Sequence, residues 1–425
     1  MKHHEETNWV RLDNYSKVFP ATWSPKDPKV FRLSCELFEP VEKDVLQKAL
    51  DKTIDDFPLY KYVLRRGLFW YYLESSDLRP EVQPESEPIC APIYTGHKNN
   101  LLFRVSYYKR RVNLETFHVL SDGAGAIKFI RLLIFNYLTL LYKEDFADVV
   151  LSNDDSAISE LMDDSYSKHY IGRSAFSKMA REEKKEFKVK AYKIHGTRTE
   201  GYRLSLIEGS VSLSAVLEEA HKYNTTLTIF LTSLYIYSIY KSMTGRKKAL
   251  PIVLTVPVNL RQFFESQTAR NFFSTIHIGY NFSKEPDDLK SVIQSVAESF
   301  KKSLTTDKLN YQLYKFMSVE RNPFVRILPL GMKDFFIRAA VKRYDRHTTS
   351  NISNIGRIEM PPEFSSFIRE FCVCTSVRKP QLTMCSFNDR LVLSLSSPFR
   401  ETDIQRTFFR MLSKAGIEIE ITSNL

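Results

Sequence analysis

Two residues that could carry proton-transfer chemistry, His118 and Asp122, stand four positions apart in the stretch HVLSDGAGA. A neutral imidazole is suited to act as a general base, because its ordinary pKa lies near neutral pH. Alternation along the preceding run, RVNLETFH, puts His118 on the face of Val112 and Leu114, as the last side chain before the chain turns. Asp122 comes just before an apolar helical pattern, where a carboxylate caps free backbone N–H groups. The spacing therefore predicts a base at a strand end and a cap at a helix start.

The same pair also has a purely structural interpretation, which the sequence leaves open. Asp122 is compatible with a helix cap alone, and His118 with a hydrogen-bonded histidine of the core. The context favours a functional interpretation, because the next four residues, GAGA, are all small. Small side chains let another segment approach the helix start closely.

Hydrophobic periodicity predicts mixed α and β structure around this pair. The run 29–40 is strand-like, and 41–58 has an apolar stripe at helical spacing. Two short strands follow, and the runs LLFRVSYYK and RVNLETFH are typical of a hairpin whose second strand leads to His118. A long helix is predicted over 123–143, directly after this strand.

The polar, charge-rich stretch 151–201 separates this part from a second half and is predicted to be a surface crossover. Residues 202–425 again mix helices and strands. Helices are predicted at SLSAVLEEAHKYN, TTLTIFLTSLYIYSIYKSM, PDDLKSVIQSVAESFKKSL and TDIQRTFFRMLSKAG, and Thr402 is expected to cap the last of them. Strands are predicted at LPIVLTVPVNL, STIHIGYNF, QLTMCSF and LVLSLSS, and the first of these is expected to end at its proline. We therefore expect an α+β fold of two halves, 1–150 and 202–425, each a mixed sheet flanked by helices.

The net positive charge of the chain indicates which kinds of binding partner are compatible with the sequence. The chain has 425 residues and a net charge of +11, with the basic residues spread along it. This excess is compatible with an ordinary solvated surface or with an anionic partner, namely a phosphorylated cofactor, an acidic carrier protein or a membrane surface. No zinc-finger spacing, RNP-like motif or basic heptad array supports nucleic-acid binding.

Cysteine usage and hydropathy indicate a cytoplasmic protein. The five cysteines are odd in number and form no C-x-x-C pair, which argues against a disulfide framework and a thiolate zinc site. No metal site is predicted. The first residues lack the apolar core of a signal peptide, and the apolar windows 129–142 and 227–240, at about 14 residues each, are too short to span a bilayer. A peripheral association with a membrane stays open.

The stretch HVLSDG resembles the H-x-x-x-D-G motif of the chloramphenicol acetyltransferase-like acyltransferases. That superfamily includes condensation domains of nonribosomal peptide synthetases, alcohol acetyltransferases, wax ester synthases and plant BAHD acyltransferases. TVPVNLRQFF (255–264) is similar to the PVNLR strand of alcohol acetyltransferases and condensation-like enzymes. TTSNISNIG (348–356) is similar to the SN-x-G strand of wax ester synthases and their relatives. The three motifs occur in the order the superfamily has, so the resemblance covers nearly the whole chain.

Departures from the family patterns narrow the resemblance. Many condensation domains have a second histidine just before the motif, where this chain has Phe117. The D-F-G-W-G motif of the plant enzymes and the long SNVPGP form of wax ester synthases are absent from the sequence. The most similar group is therefore the free-standing alcohol acetyltransferases and condensation-like proteins.

The resemblance implies roles for particular residues. It implies a tunnel between two halves, where His118 takes a proton from an acceptor hydroxyl or amine that attacks a thioester carbonyl. Asp122, beside Gly123, would point away from the substrate and pair with an arginine, for which Arg261 is the candidate; a surface position for that arginine is the alternative. The candidates for oxyanion donors and for a small residue in the channel wall are Ser353, Asn354 and Gly356, which are also compatible with ordinary turn chemistry.

The implied donor is acyl-CoA or an acylated carrier protein, with no permanently bound cofactor. The implied acceptor is a small molecule or a lipid, and the protein is expected to be a monomer. The alternative is a catalytically silent condensation-like protein that binds a carrier protein or a partner enzyme. A hydrolase is disfavoured, because no serine or cysteine stands in a nucleophile context such as G-x-S-x-G.

Overall fold

The computed structural model describes residues 9–96, 99–146, 148–151, 158–170 and 190–425. In these residues the chain forms sheets of three, five and seven strands, with helices packed against the larger two. The strands are β1 (Trp9–Arg11), β2 (Val30–Leu37), β3 (Tyr62–Arg66), β4 (Tyr71–Ser75), β5 (Gln83–Pro84), β6 (Phe103–Tyr108), β7 (Arg111–Phe117), β8 (Ser205–Ser212), β9 (Ile252–Asn259), β10 (Phe273–Tyr280), β11 (Ser350–Arg357), β12 (Ile368–Thr375), β13 (Gln381–Phe387), β14 (Arg390–Ser397) and β15 (Glu420–Ser423). The helices are α1 (Val18–Thr22), α2 (Lys43–Asp56), α3 (Gly123–Leu141), α4 (Ile158–Leu161), α5 (Ser165–Lys168), α6 (Leu213–Lys222), α7 (Leu227–Ser242), α8 (Leu289–Ser303), α9 (Thr306–Arg321), α10 (Pro323–Ile327), α11 (Leu330–Asp345) and α12 (Asp403–Lys414).

The five-stranded sheet, in the order β12-β2-β7-β6-β5, leads directly to His118. β2 and β7 pair antiparallel with Val30 opposite Phe117, and β6 and β7 form the predicted hairpin. α2 and α3 pack on each other, and α3 packs against β2. Side chains of α3 such as Phe129 are fully buried. The loop between β7 and α3 is therefore held by buried elements on both sides.

α3 is the one described helix that is long and apolar enough to cross a membrane, and half of its apolar window is buried inside the protein. Its apolar side chains belong to the core that also contains α2 and the five-stranded sheet. Asn136 of α3 donates a hydrogen bond to Thr53 of α2 at 2.9 Å. We therefore describe α3 as a core helix.

The seven-stranded sheet has the order β10-β9-β11-β13-β14-β8-β15. β11 runs parallel to its neighbours β9 and β13, and the other pairs are antiparallel. α8 packs against β10 and against α7, which in turn contacts α12. Thr226 caps α7 by accepting the backbone N–H of Ile229.

One strand of the five-stranded sheet comes from the second half of the sequence. β12 pairs antiparallel with β2 and also packs against β13 and β14 of the larger sheet. The two sheets are thus connected through this strand. The predicted α+β fold with two mixed sheets flanked by helices is confirmed.

Two local expectations were wrong, and a third lies partly outside the described residues. The strand expected to end at its proline continues, with Pro257 inside β9. β11 pairs with β9 only at Leu254 and Thr255, so β9 beyond them has a free edge, where a proline costs no ladder hydrogen bond. Thr402 stands before α12, but its side chain makes no capping hydrogen bond. The crossover 151–201 includes 152–157 and 171–189, which are outside the described residues.

Candidate active site

His118 directly follows β7 and extends its pairing by one residue. Its backbone N–H donates to the carbonyl oxygen of Lys29 at 2.8 Å. The side chain is partly accessible, whereas its neighbours Phe117 and Val119 are buried. The backbone of His118 is therefore fixed at the start of β2, and the residue as a whole is less buried than its two neighbours.

Asn271 determines which nitrogen of His118 carries the proton. The Asn271 Nδ2 group donates to Ser16 Oγ at 2.8 Å and to the backbone oxygen of His118 at 2.9 Å. These two bonds turn the amide so that Asn271 Oδ1 faces His118 Nδ1, at 3.2 Å. Because an amide oxygen only accepts hydrogen bonds, Nδ1 must donate, and Nε2 keeps its lone pair. Nε2 is therefore the nitrogen of this imidazole that has a lone pair available to accept a proton.

Aromatic rings enclose the same imidazole. Phe19 stacks on it with the ring centres 4.4 Å apart, and the rings of Phe31 and Phe273 lie at 5.0 and 5.8 Å. Burial lowers the pKa of His118 below its ordinary 6.5, and this effect exceeds the opposing influence of the Asp122 carboxylate. The imidazole is neutral at physiological pH, which is the form that a general base requires.

Asp122 anchors the loop between His118 and α3. Its Oδ1 accepts the backbone N–H of Gly125 at 3.0 Å, as the cap of α3. Its Oδ2 accepts two bonds of 2.8 Å, from Arg261 Nη1 and from the backbone N–H of Phe272. Within the described chain, all hydrogen bonds of this carboxylate go to these three groups and none to the imidazole. Asp122 therefore fixes the loop, and its described hydrogen bonds do not include the imidazole.

Arg261 extends this anchor to the segment 268–273, which precedes and begins β10. The guanidinium donates to the backbone oxygens of Thr268 and Arg270, at distances between 2.6 and 3.0 Å. Its side chain is only 10% exposed, and the carboxylate side chain of Asp122 only 7%. The structure thus brings together the two residues whose contact the resemblance implied, and this pair connects the start of α3 to the segment that leads into β10.

The small residues at the start of α3 admit segments from the second half, as predicted. A Cβ on Gly125 would lie 1.9 Å from the carbonyl oxygen of Ala269, a distance that no side chain could accept. Gly123 faces Ile355 of β11, whose Cδ1 would be 2.9 Å from an added Cβ. β11 therefore runs beside the helix start.

Other candidates on β11 lie near this helix start but have separate contacts. Asn354 Nδ2 donates to Thr228 Oγ1 of α7 at 2.9 Å, and Asn354 Oδ1 accepts the backbone N–H of Gly356 at 2.9 Å. Gly356 has a φ of +93°, at an irregularity in the β11–β13 pairing, where other residues would be strained. Among the described residues, no hydrogen bond joins Ser353 or Asn354 to His118.

Sequence reasoning missed the two closest partners of the imidazole. Asn271 is a single amide in the run ARNFF before a strand, which is indistinguishable from ordinary turn chemistry in one sequence. Phe19 lies in the run SKVFPATW, and nothing in that run indicates a contact so far along the chain. Both partners follow only from the tertiary fold.

A cavity of about 670 Å³ lies between the two larger sheets, beside the opposite end of β7 from His118. Charged side chains of both sheets line it, including Arg32, Glu36, Arg111 and Glu208. Arg111 pairs with Glu36 of the same sheet at 2.9 Å and with Glu208 of the larger sheet at 3.1 Å. The cavity is therefore separate from the environment of the imidazole.

The described residues contain no group of three or more His, Cys, Asp and Glu side chains that could hold a metal ion. All five cysteines are buried. Burial raises the pKa of Cys372 and Cys35 well above that of an ordinary thiol, so neither is poised as a thiolate nucleophile.

No family model matches the sequence, and no curated protein is similar to it. Solved structures do match. A starter condensation domain of rhizomide synthetase, solved with C8-CoA, aligns at 14% identity with a TM-score of 0.65, covering 96% of this chain and 95% of its own. Polyketide synthase associated protein 5 from Mycobacterium tuberculosis aligns at 12% identity and a TM-score of 0.59, covering 95% and 96%. The TRI3 trichothecene 15-O-acetyltransferase from Fusarium sporotrichioides aligns at 10% identity and a TM-score of 0.60, covering 96% and 95%.

At such identities these similarities establish the fold alone. They confirm the fold that the resemblance implied, over about 95% of the chain.

Proposed function

We propose that the protein is an acyltransferase that moves an acyl group from a thioester to a hydroxyl or amine, with His118 as the general base. The observation that carries this proposal is the hydrogen bond between His118 Nδ1 and Asn271 Oδ1, which leaves Nε2 of a neutral imidazole able to accept a proton. The fold supports it, since similar structures include an O-acetyltransferase and condensation domains.

In the proposed reaction, Nε2 takes the proton of the acceptor as its oxygen or nitrogen attacks the thioester carbonyl. A C–O or C–N bond forms, and the carbonyl electron pair moves to oxygen to give a tetrahedral oxyanion. Collapse of this intermediate breaks the C–S bond, and the leaving thiolate takes the proton back from Nε2. His118 returns to its neutral form, and no covalent acyl-enzyme is required. A base of this kind contributes about 10²–10⁴-fold to the rate.

The other candidates have supporting roles in this proposal. Asp122, Gly123 and Arg261 are positioning residues that hold the imidazole against the second half. Ser353 and Asn354 are the proposed oxyanion donors; an amide has two N–H groups, and the bond from Asn354 to Thr228 uses one of them. A Cβ added to Gly356 would meet no atom within 4 Å, which fits a position beside open space.

The proposed donor is acyl-CoA or an acylated carrier protein, both of which present a phosphopantetheine thioester. Two similar structures support these choices: the condensation domain solved with C8-CoA, and the nonribosomal peptide synthetase FmoA3, of which this chain matches 44%. No cofactor is proposed to stay bound. The proposed acceptor is an alcohol, an amine or a lipid hydroxyl, and the protein is proposed to act as a monomer in the cytoplasm.

The test is acceptor-dependent release of free thiol from acyl-CoA, followed with a panel of alcohols and amines and with an acylated carrier protein as a second donor. We expect thiol release to rise with one acceptor class, and the acylated acceptor to appear by mass spectrometry in an amount equal to the released thiol. Stable binding of the carrier protein with no transfer to any acceptor would instead favour the catalytically silent alternative. An acyl group found covalently on the protein would contradict the one-step mechanism.

A further inference from the structure

A second surface, separate from the imidazole, exposes large apolar side chains from two elements. The turn between β3 and β4 exposes Leu68 at 73%, and α10 exposes Phe324 at 79%. The apolar tip, as we name this surface, consists of Leu68, Phe69, Phe324, Ile327, Met332, Phe335 and Phe336. Exposed apolar residues scattered singly need no explanation, but a contiguous group of this kind indicates an interaction site.

Hydrogen bonds hold the two parts of the apolar tip together. The backbone N–H of Leu330, at the start of α11, donates to the carbonyl oxygen of Leu68 at 2.9 Å. The ammonium of Lys333 donates to the carbonyl oxygens of Phe69 and Arg326, both at 3.0 Å. The same ammonium lies 3.6 Å from the centre of the Trp70 ring. The turn, α10 and α11 therefore present one fixed surface.

The pattern of α11 is the reverse of an ordinary surface helix. Leu330 and Asp334 face inward and are buried, while Met332, Phe335 and Phe336 face outward. A helix on the surface of a globular protein normally has polar side chains on its outer face. Since the core does not use these outward residues, their exposure requires another explanation.

The stretch of the chain that contains most of the apolar tip is basic. The stretch 321–346 is described throughout, and it has six exposed basic residues and no exposed acidic one. The six are Arg321, Arg326, Arg338, Lys342, Arg343 and Arg346. On α11 the outward face thus changes from apolar near its start to basic near its end. Apolar and aromatic side chains next to lysine and arginine are typical of protein surfaces that lie in the headgroup region of a bilayer.

We propose that the apolar tip docks on the surface of an anionic lipid bilayer. Phe335, Phe336 and Leu68 enter the boundary between headgroups and acyl chains, and Lys342 and Arg343 face the anionic headgroups. The charge of the stretch is complementary to such a surface, and an amphipathic face of this type lies in the plane of the interface without crossing it. The proposal does not depend on the chemistry of His118.

The experiment is cosedimentation of the full chain with phosphatidylcholine vesicles, with and without phosphatidylserine. The apolar variant is Phe335→Ser with Phe336→Ser, and its control is Phe38→Ser, an exposed phenylalanine outside the tip. The charge variant is Lys342→Gln with Arg343→Gln, and its control is Lys301→Gln with Lys302→Gln, exposed on α8. All substituted side chains are exposed or largely so, and thermal unfolding checks that the fold is intact.

Wild type should bind vesicles containing phosphatidylserine more tightly than phosphatidylcholine alone, and high salt should weaken this binding. The apolar variant should lose at least about tenfold in affinity. The charge variant should lose roughly fivefold in affinity per neutralised residue, about 25-fold for the pair, towards the anionic vesicles only. Both controls and His118→Ala should bind like wild type.

Two results would overturn the proposal. One is equal binding of wild type and the apolar variant, or no binding of wild type to either vesicle. The other is a wild type that self-associates without vesicles while the apolar variant stays monomeric in sedimentation, because the tip would then be an interface between two copies of this chain.

Discussion

Replacing Asp122 by asparagine tests whether the Asp122–Arg261 pair holds the loop of His118 in place. The substitution keeps the size of the side chain and removes its charge. Two N–H donors, from Arg261 and Phe272, converge on Oδ2, and a third, from Gly125, meets Oδ1. Asparagine has one accepting oxygen and one donating NH2 group, so either orientation of its amide directs a donor at a donor.

The magnitude follows from burial. Both partners are nearly inaccessible, and removing one partner of a buried ion pair costs about 3–5 kcal/mol because the other charge stays buried without compensation. The capping hydrogen bond contributes little to this loss, because asparagine and aspartate stabilise a helix to a similar extent at the N-cap position. We expect Asp122→Asn to lower the free energy of unfolding by about 3–5 kcal/mol.

The assay is urea unfolding of the variant beside Asp288→Asn. Asp288 caps α8 by accepting the backbone N–H of Ser291 at 2.9 Å, and it is exposed. This control loses a charge at a helix start without breaking a buried pair, so it should change the free energy of unfolding by less than about 1 kcal/mol. Equal urea midpoints for the two variants would refute the role assigned to the Asp122–Arg261 pair.

Three further predictions concern the surroundings of the imidazole. Burial lowers the pKa of His118, and the reaction needs its neutral form, so kcat/KM should be constant at high pH and should fall as the pH drops through a midpoint below 6.5. A midpoint above 6.5 in a pH–rate profile would contradict this expectation. Asn271→Ala should lower kcat more than it raises KM. It should also lower the free energy of unfolding by about 1–3 kcal/mol, because the Ser16 hydroxyl and the His118 carbonyl each lose a hydrogen-bond donor. An unchanged kcat would show that Asn271 has no part in the site. Gly125→Ala should lower the midpoint of thermal unfolding, because the added Cβ would clash with the Ala269 carbonyl. Gly331→Ala on α11 should not lower it, since a Cβ there meets no atom within 4 Å. Equal midpoints for the two variants would show that Ala269 does not pack tightly against Gly125.

The sequence predicted the parts of the site that depend on local pattern. Alternation along β7 and the apolar run of α3 located His118 and Asp122, and the resemblance to PVNLR supplied Arg261. The sequence could not predict the contact of Asn271 with His118. The two residues are 153 positions apart, and their contact depends on how the two sheets pack.

The fold was predictable to a similar extent. No element was predicted for the residues between α8 and β11, which form α9, α10 and α11. α10 and α11 carry apolar side chains outward, so periodicity alone does not separate a buried face from an exposed one. The sharing of β12 between two sheets also has no local signal, since strand pairing is set by the partner strand rather than by the strand itself.

The role of His118 Nε2 as the base can be tested by comparing the turnover of wild type and His118→Ala. The donor and acceptor are those identified in the thiol-release assay. His195→Ala, an exposed histidine outside the site, is the matched control. We expect His118→Ala to lower kcat by about 10²–10⁴-fold, with donor affinity and thermal stability close to those of wild type, while the control keeps full activity. Equal kcat in wild type and His118→Ala would contradict it.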